Sequence, residues 1–165
     1  MVISPEAYLP LEVNKPPFEF GFIAELPPFT PEEIERLVKF HGLNLSSREL
    51  TKLSELSGGL PYLVRRLLYD MTAYNLKLEN LLSTVADDTG IFADYLQDLF
   101  VTLYKYPNLM AAYQQIVNST TPIHIPQMEK LALHSLGLVR FLPHNQVTVS
   151  CDLYRQYFKN IILGG

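Results

Sequence analysis

The chain has 165 residues, 48% of them hydrophobic and 18% charged, with a formal charge of −4 and a single cysteine. That length and apolar fraction suit one domain, or two small ones packed together, and exclude wholesale disorder. One cysteine excludes a disulfide-stapled scaffold, and no run of about 18 apolar residues or signal-peptide start is present, so a soluble, cytoplasmic protein without membrane contact is expected.

Residues 1–29 carry Pro5, Pro10, Pro16, Pro17, Pro27 and Pro28 among short apolar stretches, and each proline removes a donor and disfavours a helical predecessor. This segment is expected to run extended. Residues 1–13 can supply one strand, which needs a sheet from elsewhere to satisfy its backbone. At Thr30-Pro31-Glu32-Glu33 a capping hydroxyl, a proline and a glutamate predict a helix start. Ile34, Leu37, Val38 and His41 share one face, and Gly42 ends the helix.

Ser46-Ser47-Arg48-Glu49 repeats the capping pattern, Leu50, Leu53 and Leu56 follow as an inward stripe, and Gly58-Gly59 closes it. Pro61 opens a third helix with Leu63, Val64, Leu67, Leu68 and Met71 inward and Arg65 and Arg66 towards other sides. A fourth short helix is expected over 78–86. Residues 30–90 thus read as a four-helix unit.

An aromatic-rich helix is predicted over 91–106, another over 109–117, and a short one after Pro126 carrying Met128, Leu131, Ala132 and Leu136. Residues 138–142 and 147–150 are apolar and β-branched runs joined by Pro143-His144-Asn145-Gln146, which predicts a hairpin. Asp152 can cap a last helix through Ile162, with Leu153, Tyr157 and Ile161 inward and Arg155 and Lys159 outward. Helix, helix, short helix, hairpin, helix is the order of a winged-helix domain. The expected fold is mainly α: a small helical bundle over 30–90, then a winged-helix domain with one β-hairpin over 91–165, preceded by the extended Pro-rich segment 1–29.

Catalytic motifs are absent. The sequence has no G-x-x-x-x-G-K-[ST], H-E-x-x-H, G-x-S-x-G or C-x-x-C. No catalytic residue is assigned. His124, His134 and His144 fall on a loop, a helix and a turn without a partner cysteine, so no metal site is expected. Cys151 reads as a small buried side chain, and the pairs Glu32-Glu33 and Asp87-Asp88 as helix-end carboxylates.

The informative piece is Gly58-Gly59-Leu60-Pro61-Tyr62-Leu63-Val64-Arg65-Arg66. Glycines before a proline-started helix allow close backbone approach, the helix N-terminus favours an anion, and an arginine one turn on can add charge-assisted bonds. The same residues also make an ordinary helix stop and start. The winged-helix order supplies a DNA-binding alternative, with Gln127, Lys130 and His134 on the recognition helix and Arg140, His144 and Asn145 on the wing. Its charge is sparse: residues 119–165 hold 4 Lys+Arg against 2 Asp+Glu, where phosphate binding normally needs clustered cations.

The stretch at Gly58 to Val64 resembles the G-x-P signature in the lid of STAND and related AAA-type ATPases. The likeness continues through Asn14 to Gly21, Glu25 to Thr30, His41-Gly42-Leu43, Asp88 to Phe92, His134 to Val139 and Cys151 to Phe158. Together these are similar to the C-terminal half of the AAA-like domain of cyanobacterial signalling proteins. Pro16 stands where that family usually has Ser, and Glu19 where it has Asn. The resemblance implies that residues 30–90 are the lid, that Val2 to Leu11 correspond to the strand after the sensor, and that 1–29 are a remnant of the ATPase core.

It also implies a nucleotide-facing turn at Gly58, Gly59 and Pro61, with Arg65 or Arg66 as the lid cation once a P-loop core is supplied. The P-loop, the magnesium-binding strand and the sensor strand that precede this region in the family are absent. The chain alone is therefore expected to need no cofactor and to lack enzymatic activity, with ATP and Mg belonging to the complete ATPase. An excised fragment and a split gene product both fit. Expected partners are a P-loop core, in cis or in trans, and an effector domain that reads nucleotide state. A nucleotide-independent interaction scaffold is the remaining alternative.

Overall fold

The first two helices each start at a side chain that closes their own first turn. In the computed structural model, which describes residues 26–163, Thr30 Oγ1 accepts from the Glu33 amide at 3.2 Å while Glu33 accepts from the Thr30 amide at 2.9 Å. Pro31 takes the first position of α1, Pro31–Phe40. Ser46 and Glu49 repeat the exchange at 3.4 and 2.8 Å and start α2, Ser47–Ser57. The strand expected within residues 1–13 lies outside the described residues; residues 26–29 are neither helix nor strand.

Helix α3, Pro61–Ala73, buries Leu63, Val64, Leu67, Leu68 and Met71 as the spacing predicts, and α4 spans Leu78–Thr84. Then come α5, Ala93–Tyr104, and α6, Pro107–Asn118. Helix α5 starts later than expected because Ile91 and Phe92 belong to a turn, closed by the Ala93 amide on Gly90 O at 3.0 Å. It also stops earlier. Tyr106 folds back on Leu103 O at 3.0 Å, and Pro107 becomes the first residue of α6 instead of a spacer before it.

Helix α7, Gln127–Ser135, leads into β1, Val139–Leu142, and β2, Gln146–Val149, with a single 3-10 turn at Pro143–Asn145; α8, Asp152–Leu163, ends the described chain. The strands are antiparallel, in a register that sets Val139 opposite Val149 and Leu142 opposite Gln146. Ile123 also exchanges both backbone bonds with Val147, at 3.1 and 2.9 Å, so β2 is paired on both sides. The fold is thus mainly helical with a winged-helix-like hairpin near its end.

Packing unites both groups of helices. The buried side chains form one cluster running from Ile34 of α1 to Phe158 of α8, and a fully buried leucine of the kind it contains contributes about 2 kcal/mol. An aromatic joint lies between them: Tyr62 of α3 meets Tyr95 of α5 at 4.8 Å, and the Tyr95 and Tyr154 hydroxyls share a 2.6 Å hydrogen bond. Burial pushes both phenols upward, so the pair is neutral at physiological pH.

Two inward expectations are corrected. Met128 is 68% exposed, because α7 turns Lys130, Ala132 and Leu133 inward and Met128 lies two positions from Lys130, on the other side. His41 is the cap residue of α1 and rests edge-on against exposed Phe40. Among the described residues no helix is long and apolar enough to cross a membrane.

The Ser46–Glu49 box gives a pH-dependent test. The Ser46 hydroxyl and amide hold the Glu49 carboxyl below its usual range, so this part of the stability is present above the ordinary Glu pKa and fades as pH falls through the depressed one. Ser46→Ala is expected to cost about 1 kcal/mol in urea unfolding at pH 7. The gap between variant and parent should narrow as the pH falls through the depressed pKa.

Candidate functional site

Helix α2 ends in a way that leaves its backbone bare. Ser57, buried, bonds its Oγ to Leu53 O at 2.7 Å and accepts from the Gly59 amide at 3.2 Å. Gly58 and Gly59 then take left-handed φ values of 58° and 73°. The Leu60 amide closes on Ser57 O at 3.0 Å, and Pro61 starts α3 at once.

Two other segments press against this corner. A Cβ placed on Gly58 would stand 2.2 Å from Ser150 O and 2.8 Å from Cys151 Cβ; one on Gly59 would stand 2.5 Å from Phe29 O. Phe29 also donates its amide to Gly59 O at 2.8 Å. Both glycines are therefore required by φ and by space.

Beside the corner opens a polar cleft of about 450 Å³. Its walls include Gly58 and Gly59, Arg140, the hairpin exit at Ser150 and Cys151, and Arg155 on the first turn of α8. Glu55 and Asp152 also line it, so its lining includes two arginines and two acidic residues. The volume suits a small ligand, and the lining favours one that is polar or ionic. Cys151 is unsuited to nucleophilic work there, because burial pushes its thiol to about 12.

The residues expected at a nucleotide-facing turn divide. Gly58 and Gly59 line the cleft; Pro61, Arg65 and Arg66 are not among its walls. Arg66 Nε donates to Asp70 Oδ2 at 3.0 Å, and that bond raises the guanidinium pKa further. Asp70 is 2% exposed, and its Oδ1 has no partner among the described residues. Arg65 is exposed, without a hydrogen bond or ion pair among the described residues.

The alternative DNA-contact residues divide too. Gln127 and Arg140 are exposed. Lys130, expected on the recognition surface, is only 6% exposed: Nζ bonds to Asn145 Oδ1 and sits 4.7 Å from the centre of the Phe141 ring. The wing folds over the lysine, which snorkels beneath it to reach its acceptor. His134 stacks on the same ring at 3.9 Å. Among the described residues, no three His, Cys, Asp or Glu side chains group as metal ligands.

Arg155, expected outward, is also corrected. Its Nη1 donates at 2.8 Å to both Val117 O and Ser119 O, where α6 runs out of internal donors. A cation at a helix C-terminus is favourable, but the pairing is non-local and leaves no periodic trace. The Ile123 pairing had a weak signal: Ile-His-Ile alternates between Pro122 and Pro126.

A family model described as an AAA-like domain matches residues 1–160. No curated protein and no solved structure matches.

Two measurements test this geometry. Gly58→Ala should lose about 2 kcal/mol or more in urea unfolding, through the left-handed φ and the contact with Ser150 O. Iodoacetamide should label Cys151 at pH 8 about a thousandfold more slowly than an exposed cysteine, with the ordinary rate restored in denaturant.

Proposed function

We propose, on the premise that the chain belongs to the AAA-like domain family, that it is a non-catalytic lid and winged-helix regulatory module of a signalling ATPase of the STAND type. Residues 30–90 serve as the lid and 91–165 as the winged helix, with residues 1–29 contributing to a P-loop core supplied in cis or in trans. The single observation that carries this reading is the cleft. It is walled jointly by the Gly58-Gly59 corner and by the hairpin exit and α8. A nucleotide gripped by the core and reaching this cleft touches both groups of helices at once, so its presence biases how they sit together.

The geometry supports the following roles. Gly58 and Gly59 offer backbone at close range, and Pro61 fixes the start of α3 beside them. Arg65, exposed and unpaired among the described residues, is a better lid cation than Arg66, whose Nε is committed to Asp70. Without a phosphate-gripping glycine loop in its sequence the chain has no means of hydrolysing ATP alone. An effector reads the resulting arrangement, and ATP with Mg belongs to the assembled enzyme.

The DNA-binding alternative loses one of its two firm cations to the interior, since Lys130 is turned under the wing. Phosphate contact with Arg140 alone would be weak. A nucleotide-independent scaffold leaves the joint lining of the cleft without a use.

The purified chain should show background ATP turnover, and clear magnesium-dependent hydrolysis would overturn the proposal. Mixed with its cognate P-loop core, it should associate at least tenfold more tightly with Mg-ADP or Mg-ATP than without. Pro61→Ala or Arg65→Ala should reduce that nucleotide dependence severalfold in titration calorimetry. Equal affinity with and without nucleotide sinks the proposal in favour of a scaffold. A low-salt mobility shift with duplex DNA should show no tight, steeply salt-dependent complex; finding one promotes the DNA reading.

A further inference from the structure

We infer that Arg155 is the positioning residue through which occupancy of the cleft acts on α6 and the hairpin; this rests on the reading of the cleft given above. Arg155 lines the cleft from the first turn of α8. Its Nη1 uses two of the five guanidinium N–H groups, on Val117 O and Ser119 O. The other three have no acceptor among the described residues. A planar group of this kind can hold the two carbonyls through the Nη1 hydrogens and a ligand oxygen through Nη2 or Nε without releasing either.

From Ser119 the connection continues along the chain, with hydrogen bonds at two points. Ser119 Oγ donates to Thr121 O at 2.6 Å and accepts from the Thr121 amide at 3.2 Å. Ile123 follows, bonded in both directions to Val147. The next residues of β2, Thr148 and Val149, together with Ser150, wall the same cleft. Arg155, the turn after α6, Ile123 and β2 are thus joined, partly by hydrogen bonds and partly by the chain itself, in a ring that closes through Ser150 and Cys151, where the Arg155 amide donates to Cys151 O at 3.3 Å. A ligand oxygen that fixes the guanidinium therefore steadies the whole ring. Ligand removal frees Arg155 to fluctuate, and the first bonds to feel it are those at Ser119 and Ile123.

Lysine at this position keeps the charge but presents a single ammonium, which cannot serve two carbonyls and a ligand in one plane. The test is amide hydrogen exchange of the chain bound to its cognate P-loop core, with and without Mg-ADP. In the parent, ADP should slow exchange at Gly59, and at Ile123 and Val147 by at least threefold. In Arg155→Lys the protection at Gly59 should persist while that at Ile123 and Val147 is lost. Arg155→Gln, a second variant in case the first folds poorly, should behave the same way.

The inference is overturned if either variant keeps the parent response at Ile123 and Val147. It is also overturned if ADP protects Gly59 in the parent and leaves Ile123 unchanged, an outcome that spares the cleft reading. No protection at Gly59 in the parent strikes the cleft reading itself and removes this inference with it.

Discussion

The constraint on which the arrangement depends is a bare backbone corner. Gly58 and Gly59 bring three separate segments to one point: the end of α2, the chain at Phe29 and the hairpin exit at Ser150. Any side chain at either position would push one of the other two segments away, and both φ values oppose an L side chain independently. The Gly58 contact with Ser150 is one of close approach, not of interlocking side chains, and the polar cleft opens directly beside it. Rigidity comes from elsewhere, chiefly the continuous apolar cluster and the aromatic joint of Tyr62, Tyr95 and Tyr154.

Charge is distributed to match. Arg66, Lys130 and Arg155 are turned to protein acceptors, respectively the Asp70 carboxylate, the Asn145 amide oxygen and the carbonyls closing α6. Lys130, buried, and Arg155, half-buried, need such an acceptor, because an unpaired charge away from water is costly, whereas Arg66 is exposed and pairs with a buried carboxylate. Arg65 and Arg140 are exposed, and their guanidinium groups have no protein acceptor among the described residues. That division separates the functional readings more sharply than net charge does. A surface for duplex DNA requires cations held outward in a row, and the α7 and wing surface has spent Lys130 on its own packing.

Local chemistry was largely legible in the sequence, and non-local chemistry was not. The caps at Thr30 and Ser46, the helix stop at Gly58 and the proline starts of α1 and α3 follow from residues three or four positions apart, and all are present. The hairpin was legible because two β-branched runs flank a short polar turn. Lys130 was misplaced because a lysine at helical spacing reads as solvated, and only the wing folding over it supplies Asn145 as an acceptor. Asp70 carried half a signal: it follows Arg66 by four residues, but the pairing does not show that the carboxylate is buried. For the candidate site, the glycine corner was legible as a helix stop and start. Its contact with Ser150, Arg155 on the cleft wall and the Ile123 bridge all depend on segments far apart in the chain.

On the proposed reading, the size of the energies involved suits a module that would respond to a ligand without being held together by it. Coupling between a ligand and a remote surface typically amounts to 1–3 kcal/mol, and one charge-assisted hydrogen bond contributes about as much. A single guanidinium shared between a cleft and a helix end is therefore large enough to bias an arrangement. It is also small against the core, where each fully buried leucine contributes about 2 kcal/mol. On that reading the fold would survive emptying of the cleft while the bonds of Arg155 and Ile123 loosen. A ligand site walled by apolar side chains from both groups of helices would lack that separation, because vacating it would open a void within the core itself. A polar lining would keep ligand response and folding stability on different interactions, and the glycine corner borders that lining.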